Sequence, residues 1–273
     1  MIAPFVSPAW LREHRDEVVL ADVRYGLGAR DDRASYAGGH LPGAVFVDLP
    51  GVLSGPAGDA AGRHPLPDPE AFATGLSAAG IGDDALVVAY DDAGGVMAAR
   101  LVWMLRALGR DAALLDGGLA GWDGPPEPGE VDPPPASATA RPWPAELLAT
   151  IDDATDRGLV VLDARPPERY AGAPDDLDPR AGHVPGARNG PARGNVGADG
   201  RLLPVDELRA RFAAAGATDA ADVVSTCGSG VTACHTLLAM EHAGLGRGRL
   251  WPGSWSAYSR DPARPVATGA APG

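Results

Sequence analysis

The feature that most constrains this chain is that its pattern occurs twice. In the first half the apolar run Val18-Val19-Leu20-Ala21 leads into Asp22-Val23-Arg24. In the second, Leu159-Val160-Val161-Leu162 leads into Asp163-Ala164-Arg165. Downstream, Tyr36 and Gly39-His40-Leu41-Pro42-Gly43-Ala44 answer Tyr170 and Gly182-His183-Val184-Pro185-Gly186-Ala187. A third pair sets Ala85-Leu86-Val87-Val88-Ala89-Tyr90 against Asp222-Val223-Val224-Ser225-Thr226. Asp22 and Asp163, His40 and His183, and Asp91 and Cys227 lie 141, 143 and 136 residues apart, so the copies are colinear with small insertions. A period that long is a duplicated domain rather than a solenoid of short repeats.

Within each copy, short β-branched runs alternate with helical patterns. Arg100–Leu108 and Thr236–Ala243 read as helices, each followed by a glycine, Gly109 or Gly244, where a left-handed residue would end it. Continuously apolar strands alternating with helices imply a mostly parallel sheet covered on both faces. The reading is α/β: two domains packed side by side, each a mostly parallel sheet flanked by helices. The proline-crowded stretch 125–144 blocks helix propagation and strand pairing and reads as an extended linker. That leaves an N-terminal domain over 1–124 and a C-terminal domain over 145–273, both of ordinary domain size.

Charge narrows the chemistry. The net charge of −13 argues against a nucleic-acid partner or an acidic membrane surface, which need concentrated basic residues. All the positive side chains are arginine, with no lysine, so Schiff-base chemistry and lysine-bound pyridoxal phosphate are excluded. Two cysteines, Cys227 and Cys234, are spaced neither as a disulfide framework nor as metal ligands. No cofactor and no metal is expected. The first residues lack the basic and apolar regions of a signal peptide, and no apolar run approaches a membrane span. The expectation is a cytoplasmic protein whose thiols stay reduced.

In parallel α/β sheets ligands collect beyond the carboxyl ends of strands, where helix N-termini point. There the second copy carries Cys227-Gly228-Ser229-Gly230-Val231-Thr232, and the first carries Asp91-Asp92-Ala93-Gly94. Gly228 and Gly230 allow successive amides to turn inward as an anion nest, and a helix beginning near Thr232 favours a thiolate. Ser229 and Thr232 add hydroxyl donors. Cys227 is the candidate nucleophile; Cys234, inside the helix among apolar neighbours, reads as packing.

The loop Cys-Gly-Ser-Gly-Val-Thr, the duplication, the paired Gly-His-[Leu/Val]-Pro-Gly-Ala segments and the closing Gly253-Ser254-Trp255-Ser256 together resemble the tandem rhodanese family, over about Val18 to Gly269. The resemblance implies a persulfide on Cys227, loaded from a small sulfur donor and discharged to a thiophilic acceptor such as thioredoxin, another thiol or cyanide. It implies an inactive first domain, consistent with Asp91. The Gly-Ser-Gly loop resembles members that use 3-mercaptopyruvate, whereas members preferring thiosulfate carry basic residues there. Thiosulfate is the alternative donor, and a non-catalytic persulfide carrier the alternative of another class. Arg169 matches the family's substrate-binding arginine, and Arg180 is a candidate second. Family models also suggest a proton relay from Ser229 through His40 and Asp31, although His40 could equally cap its own turn. A cysteine phosphatase would need an arginine at position 233, which is alanine, and a dithiol oxidoreductase would need a tighter cysteine pair.

Overall fold

The computed structural model describes residues 1–26 and 30–273. The chain forms two compact units. Unit 1 comprises Met1–Gly55, Pro67–Trp143 and Val196–Leu202; unit 2 comprises Pro56–Leu66, Pro144–Asn195 and Leu203–Gly273.

In unit 1 the strands are β1 (Phe5–Val6), β2 (Val18–Asp22), β3 (Val45–Phe46), β4 (Leu86–Tyr90) and β5 (Ala112–Leu115), in the spatial order β1-β5-β4-β2-β3. Unit 2 holds β6 (Val160–Asp163), β7 (Arg188–Asn189), β8 (Val223–Thr226) and β9 (Arg249–Leu250), ordered β7-β6-β8-β9. Every pairing in both sheets is parallel, as the buried apolar runs require. The repeat is kept in register: β2 pairs β4 with Asp22 opposite Tyr90, and β6 pairs β8 with Asp163 opposite Thr226.

The longer helices are α1 (Pro69–Ala78), α2 (Ala99–Ala107), α3 (Val205–Ala214) and α4 (Ala233–His242). Asp68 starts α1 by accepting the Glu70 and Ala71 amides, with proline at the first helical position. Gly109 and Gly244 follow α2 and α4 at φ 76° and 74°, the left-handed termini expected from sequence. Helix α4 is buried along most of its length, Ala233 to Met240, with His235 and Thr236 the polar residues in that stretch. No helix among the described residues is long and apolar enough to cross a membrane.

The contact-based units divide the chain differently from the boundaries expected from sequence in two places. The stretch 125–143 is extended, but it belongs to unit 1. Glu127 and His40 exchange backbone hydrogen bonds (2.8 and 3.0 Å), the Gly129 amide donates to Ala37, and Asp83 accepts both the amide and hydroxyl of Thr139. Neither is the division at 124/145 respected throughout. Pro56–Leu66 belongs to unit 2 and Val196–Leu202 to unit 1, because their hydrogen bonds are non-local and invisible to local pattern.

One buried device recurs. Asp22–Arg24 (2.5 Å) and Asp163–Arg165 (2.6 Å) are ion pairs, and each guanidinium also donates to a glycine carbonyl, Gly39 or Gly182. Burial opposes the Arg165 charge, but Asp163 outweighs it and holds the group above its ordinary pKa. The pair is a structural clamp at the strand end, as its duplication indicates.

Candidate active site

Strand β8 ends at Thr226, so Cys227 is the first residue beyond the sheet, and α4 begins six residues later at Ala233. Cys227 is almost fully buried, and its Sγ accepts the Gly230 amide at 3.1 Å. That bond needs the turn made by Gly230 at φ 75°. A β-carbon there would also lie 2.6 Å from the Pro252 carbonyl oxygen, so only glycine fits. Val231 is buried. Thr232 is half-exposed at the helix N-cap, with helical backbone and no capping bond from its hydroxyl. Cys234 is fully buried and its thiol donates to Gly230 O at 3.4 Å, in keeping with a packing role.

The segment Gly253–Ser256 grips the loop from behind. The Ser254 hydroxyl accepts the Cys227 amide (3.1 Å) and donates to Trp251 O (2.8 Å). The Trp255 and Ser256 amides donate to the Cys227 and Gly228 carbonyls at 3.0 and 2.8 Å. Ser254 has φ 50°, the sole non-glycine in the left-handed region among the described residues. A strained residue bonded to the backbone of the candidate nucleophile is held in that conformation by its surroundings.

Pro56–Leu66 brings two further side chains. Gly58 and Gly62 pair reciprocally, closing a tight hairpin. A β-carbon on Gly62 would lie 2.6 Å from Gly253 O, so the backbones approach as only glycine permits. The next amide, Arg63, donates to Ser256 Oγ at 3.0 Å. His64 is buried, and its Nδ1 shares a 2.8 Å hydrogen bond with Ser229 Oγ. Arg63 Nη1 bonds Leu177 O (2.9 Å) and Asp178, while its Nε is buried with no hydrogen-bond partner.

Arg169, on the short helix Pro167–Ala171, pairs with Asp175 (2.6 Å) and with Asp178 (3.3 Å). A β-carbon built on Gly228 would sit 3.1 Å from Arg63 Nη2 and 3.5 Å from Arg169 Nη1. Two guanidiniums therefore face the residue that follows Cys227, with Asp178 bridging them. The loop itself is neutral, and its surroundings set these two arginines against Asp175 and Asp178.

The surroundings of Arg180 and His40 point to structural roles for both. Arg180 donates to the backbone carbonyls of Ser259, Tyr258, Asp261 and Arg264, tying down the C-terminal segment with four of its five N–H groups. His40 belongs to unit 1, fully buried with its ring 4.1 Å from Tyr36. His183 does the same against Tyr170 at 3.7 Å. The repeated histidine is a packing residue, and the one that meets Ser229 is His64. Asp31 likewise lies in unit 1, where its side chain caps a short helix by accepting the Ala34 amide. Sequence reasoning missed Arg63, His64 and Asp178. A signal existed for His64: Gly62-Arg63-His64 matches Gly200-Arg201-Leu202 in the second copy, and only the histidine is lost.

In unit 1 the equivalent loop holds Asp91. Its carboxylate accepts four amides, from Ala93, Gly95, Met97 and Ala98, at 2.7 to 2.9 Å. Burial pushes its pKa up, with the four bonds opposing. The nest survives and a side chain fills it. Among the described residues no cluster of His, Cys, Asp and Glu could hold a metal ion.

A family model described as the rhodanese-like domain matches residues 7–124 and again 144–261. A Pseudomonas aeruginosa protein and a Mycobacterium tuberculosis protein are 44% and 39% identical to this chain. The alignments cover 93% and 94% of this chain and 93% of each relative. They are provisionally named a 3-mercaptopyruvate sulfurtransferase and a thiosulfate sulfurtransferase, respectively. Among solved structures, the 3-mercaptopyruvate sulfurtransferase from Leishmania major superposes with a TM-score of 0.85 at 33% identity, covering 94% of this chain and 74% of that one.

Proposed function

Because this chain belongs to the rhodanese-like family, we propose that it is a sulfurtransferase carrying sulfur from 3-mercaptopyruvate, through a persulfide on Cys227, to a thiol acceptor. The observation that carries this reading is the thiol of Cys227 on an amide at the start of a helix, beneath two guanidiniums and beside a hydroxyl–imidazole pair.

The chemistry follows from those groups. The Cys227 thiolate attacks the donor's sulfur, forming an S–S bond. The C–S bond breaks and its electron pair leaves on carbon as the enolate of pyruvate. A proton reaches that carbon through Ser229, whose oxygen is bonded to His64. The persulfide rests on the loop amides until a thiolate, of thioredoxin type or smaller, takes its outer sulfur and returns Cys227 to the thiolate. Arg169 and Arg63 suit the donor's carboxylate, since each turns a charged N–H donor toward the Gly228 position and hydrogen bonds between charged groups are strong. A mere carrier would have no use for such a cradle. Neither cysteine is in a disulfide, and the reaction needs Cys227 reduced, which suits a cytoplasmic setting.

The test is steady-state turnover of 3-mercaptopyruvate and thiosulfate under one acceptor and one ionic strength. Wild type should prefer mercaptopyruvate. Arg169→Ala should lower kcat/KM for that donor by roughly ten- to a hundred-fold, a charge-assisted hydrogen bond being worth about 1.5–3 kcal/mol. Better turnover of thiosulfate, with equal loss of both donors in Arg169→Ala, would transfer the protein to the thiosulfate reading.

A further inference from the structure

The cradle above Gly228 contains its own counter-charge. The Asp178 side chain is only 3% exposed, and it spans both guanidiniums: Oδ1 on Arg63 Nη1, Oδ2 on Arg169 Nη2. Asp175 takes Arg169 Nε. Among the described residues Arg63 Nη2 and Nε and Arg169 Nη1 have no hydrogen-bond partner, and of these Arg63 Nη2 and Arg169 Nη1 converge on the Gly228 position. Two arginines and two aspartates sum to no net charge, so the site offers directed donors with no electrostatic surplus.

We propose that Asp178 is a specificity-determining residue that sets the charge of the sulfur donor, admitting a monoanion and penalising a dianion, with Arg63 and Arg169 as the paired grip. The proposal rests on the sulfurtransferase reading and adds its selection rule. A donor with one carboxylate uses both prongs and leaves one uncompensated charge. A dianion leaves two, beside a thiolate and a buried carboxylate in a poorly screened site. Asp178 also aims both guanidiniums, so one residue fixes the direction of the grip and its net charge.

The experiment uses the full chain and needs no turnover. Cys227 is alkylated with iodoacetamide, located by mass spectrometry, and protected by pyruvate as a monoanion or sulfate as a dianion at constant ionic strength. Asp178→Asn should raise protection by sulfate relative to pyruvate by about tenfold or more, since each added ligand charge loses one repulsive partner. Asp178→Glu should retain the wild-type ratio. Asp175→Asn, at a more exposed pair, should move the ratio the same way by less, and decides the matter if Asp178→Asn does not fold. An unchanged ratio in every folded asparagine variant overturns the proposal. In parallel, kcat/KM for thiosulfate over mercaptopyruvate should rise in Asp178→Asn. If wild type moves sulfur from neither donor, the proposed activity fails while the protection ratio still reports the charge rule. If turnover is normal and the ratio is fixed, the charge rule alone falls.

Discussion

Replacing His64 by alanine separates two roles that the 2.8 Å bond to Ser229 permits. If the imidazole only orients the hydroxyl, the loss is one hydrogen bond, about 0.5–1.5 kcal/mol, or roughly two- to twelve-fold in rate. If it passes the proton that the enolate carbon receives, the loss is that of a general acid, about a hundred- to ten-thousand-fold. The expected outcome is the larger loss, because His64 is buried and its bond leads to the hydroxyl on the nucleophile's own loop. The assay is single-turnover pyruvate release with enzyme in excess, which isolates loading of Cys227 from acceptor chemistry. His40→Ala is the contrast: it opens a cavity against Tyr36 and should lower stability by about 2 kcal/mol or more while the loading rate holds. Wild-type loading in a folded His64→Ala protein would refute the relay. So would an equal rate loss in His40→Ala without a fall in melting temperature.

Cys227→Ser should abolish both sulfur transfer and the mass gain of one sulfur after donor treatment, whereas Cys234→Ser should keep most activity; mass spectrometry of donor-treated protein reads both. Arg180→Ala should cost about 2–4 kcal/mol of stability by urea titration, since four carbonyls lose their donor, and leave the donor KM unchanged. His235, buried on α4, has its pKa lowered to about 4 by desolvation, so the unfolded chain binds its proton first as pH falls. Stability should therefore fall by about 3 kcal/mol between pH 6.5 and 4, and His235→Leu should flatten that slope; an identical slope in the variant would contradict the assignment.

The fold was legible because a doubled pattern constrains twice: apolar runs at Val18 and Leu159, each closed by an Asp-x-Arg clamp, admit little besides parallel strands at matching depth. The candidate nucleophile stood out for the opposite reason, since Cys227 occupies the position where its copy has Asp91. The errors arise where these two kinds of signal were mixed. His40 lies in a segment present in both halves, and a residue kept in the half without a thiol serves what the halves share, namely packing on Tyr36 and Tyr170. His64 lies where the copies diverge, opposite Leu202, and divergence is where chemistry should be sought in a duplicated chain. Arg180 misled because charge shows in sequence while its four carbonyl partners, 78 to 84 residues away, do not. Arg63 and Asp178 were harder still, being 115 residues apart and joined only once Pro56–Leu66 folds into unit 2. Asp91 shows how such a nest is closed in the copy without a thiol. Four amides of its loop need an acceptor, and the carboxylate supplies it from within, so the nest of the first copy is held shut by the residue that stands where the second has cysteine.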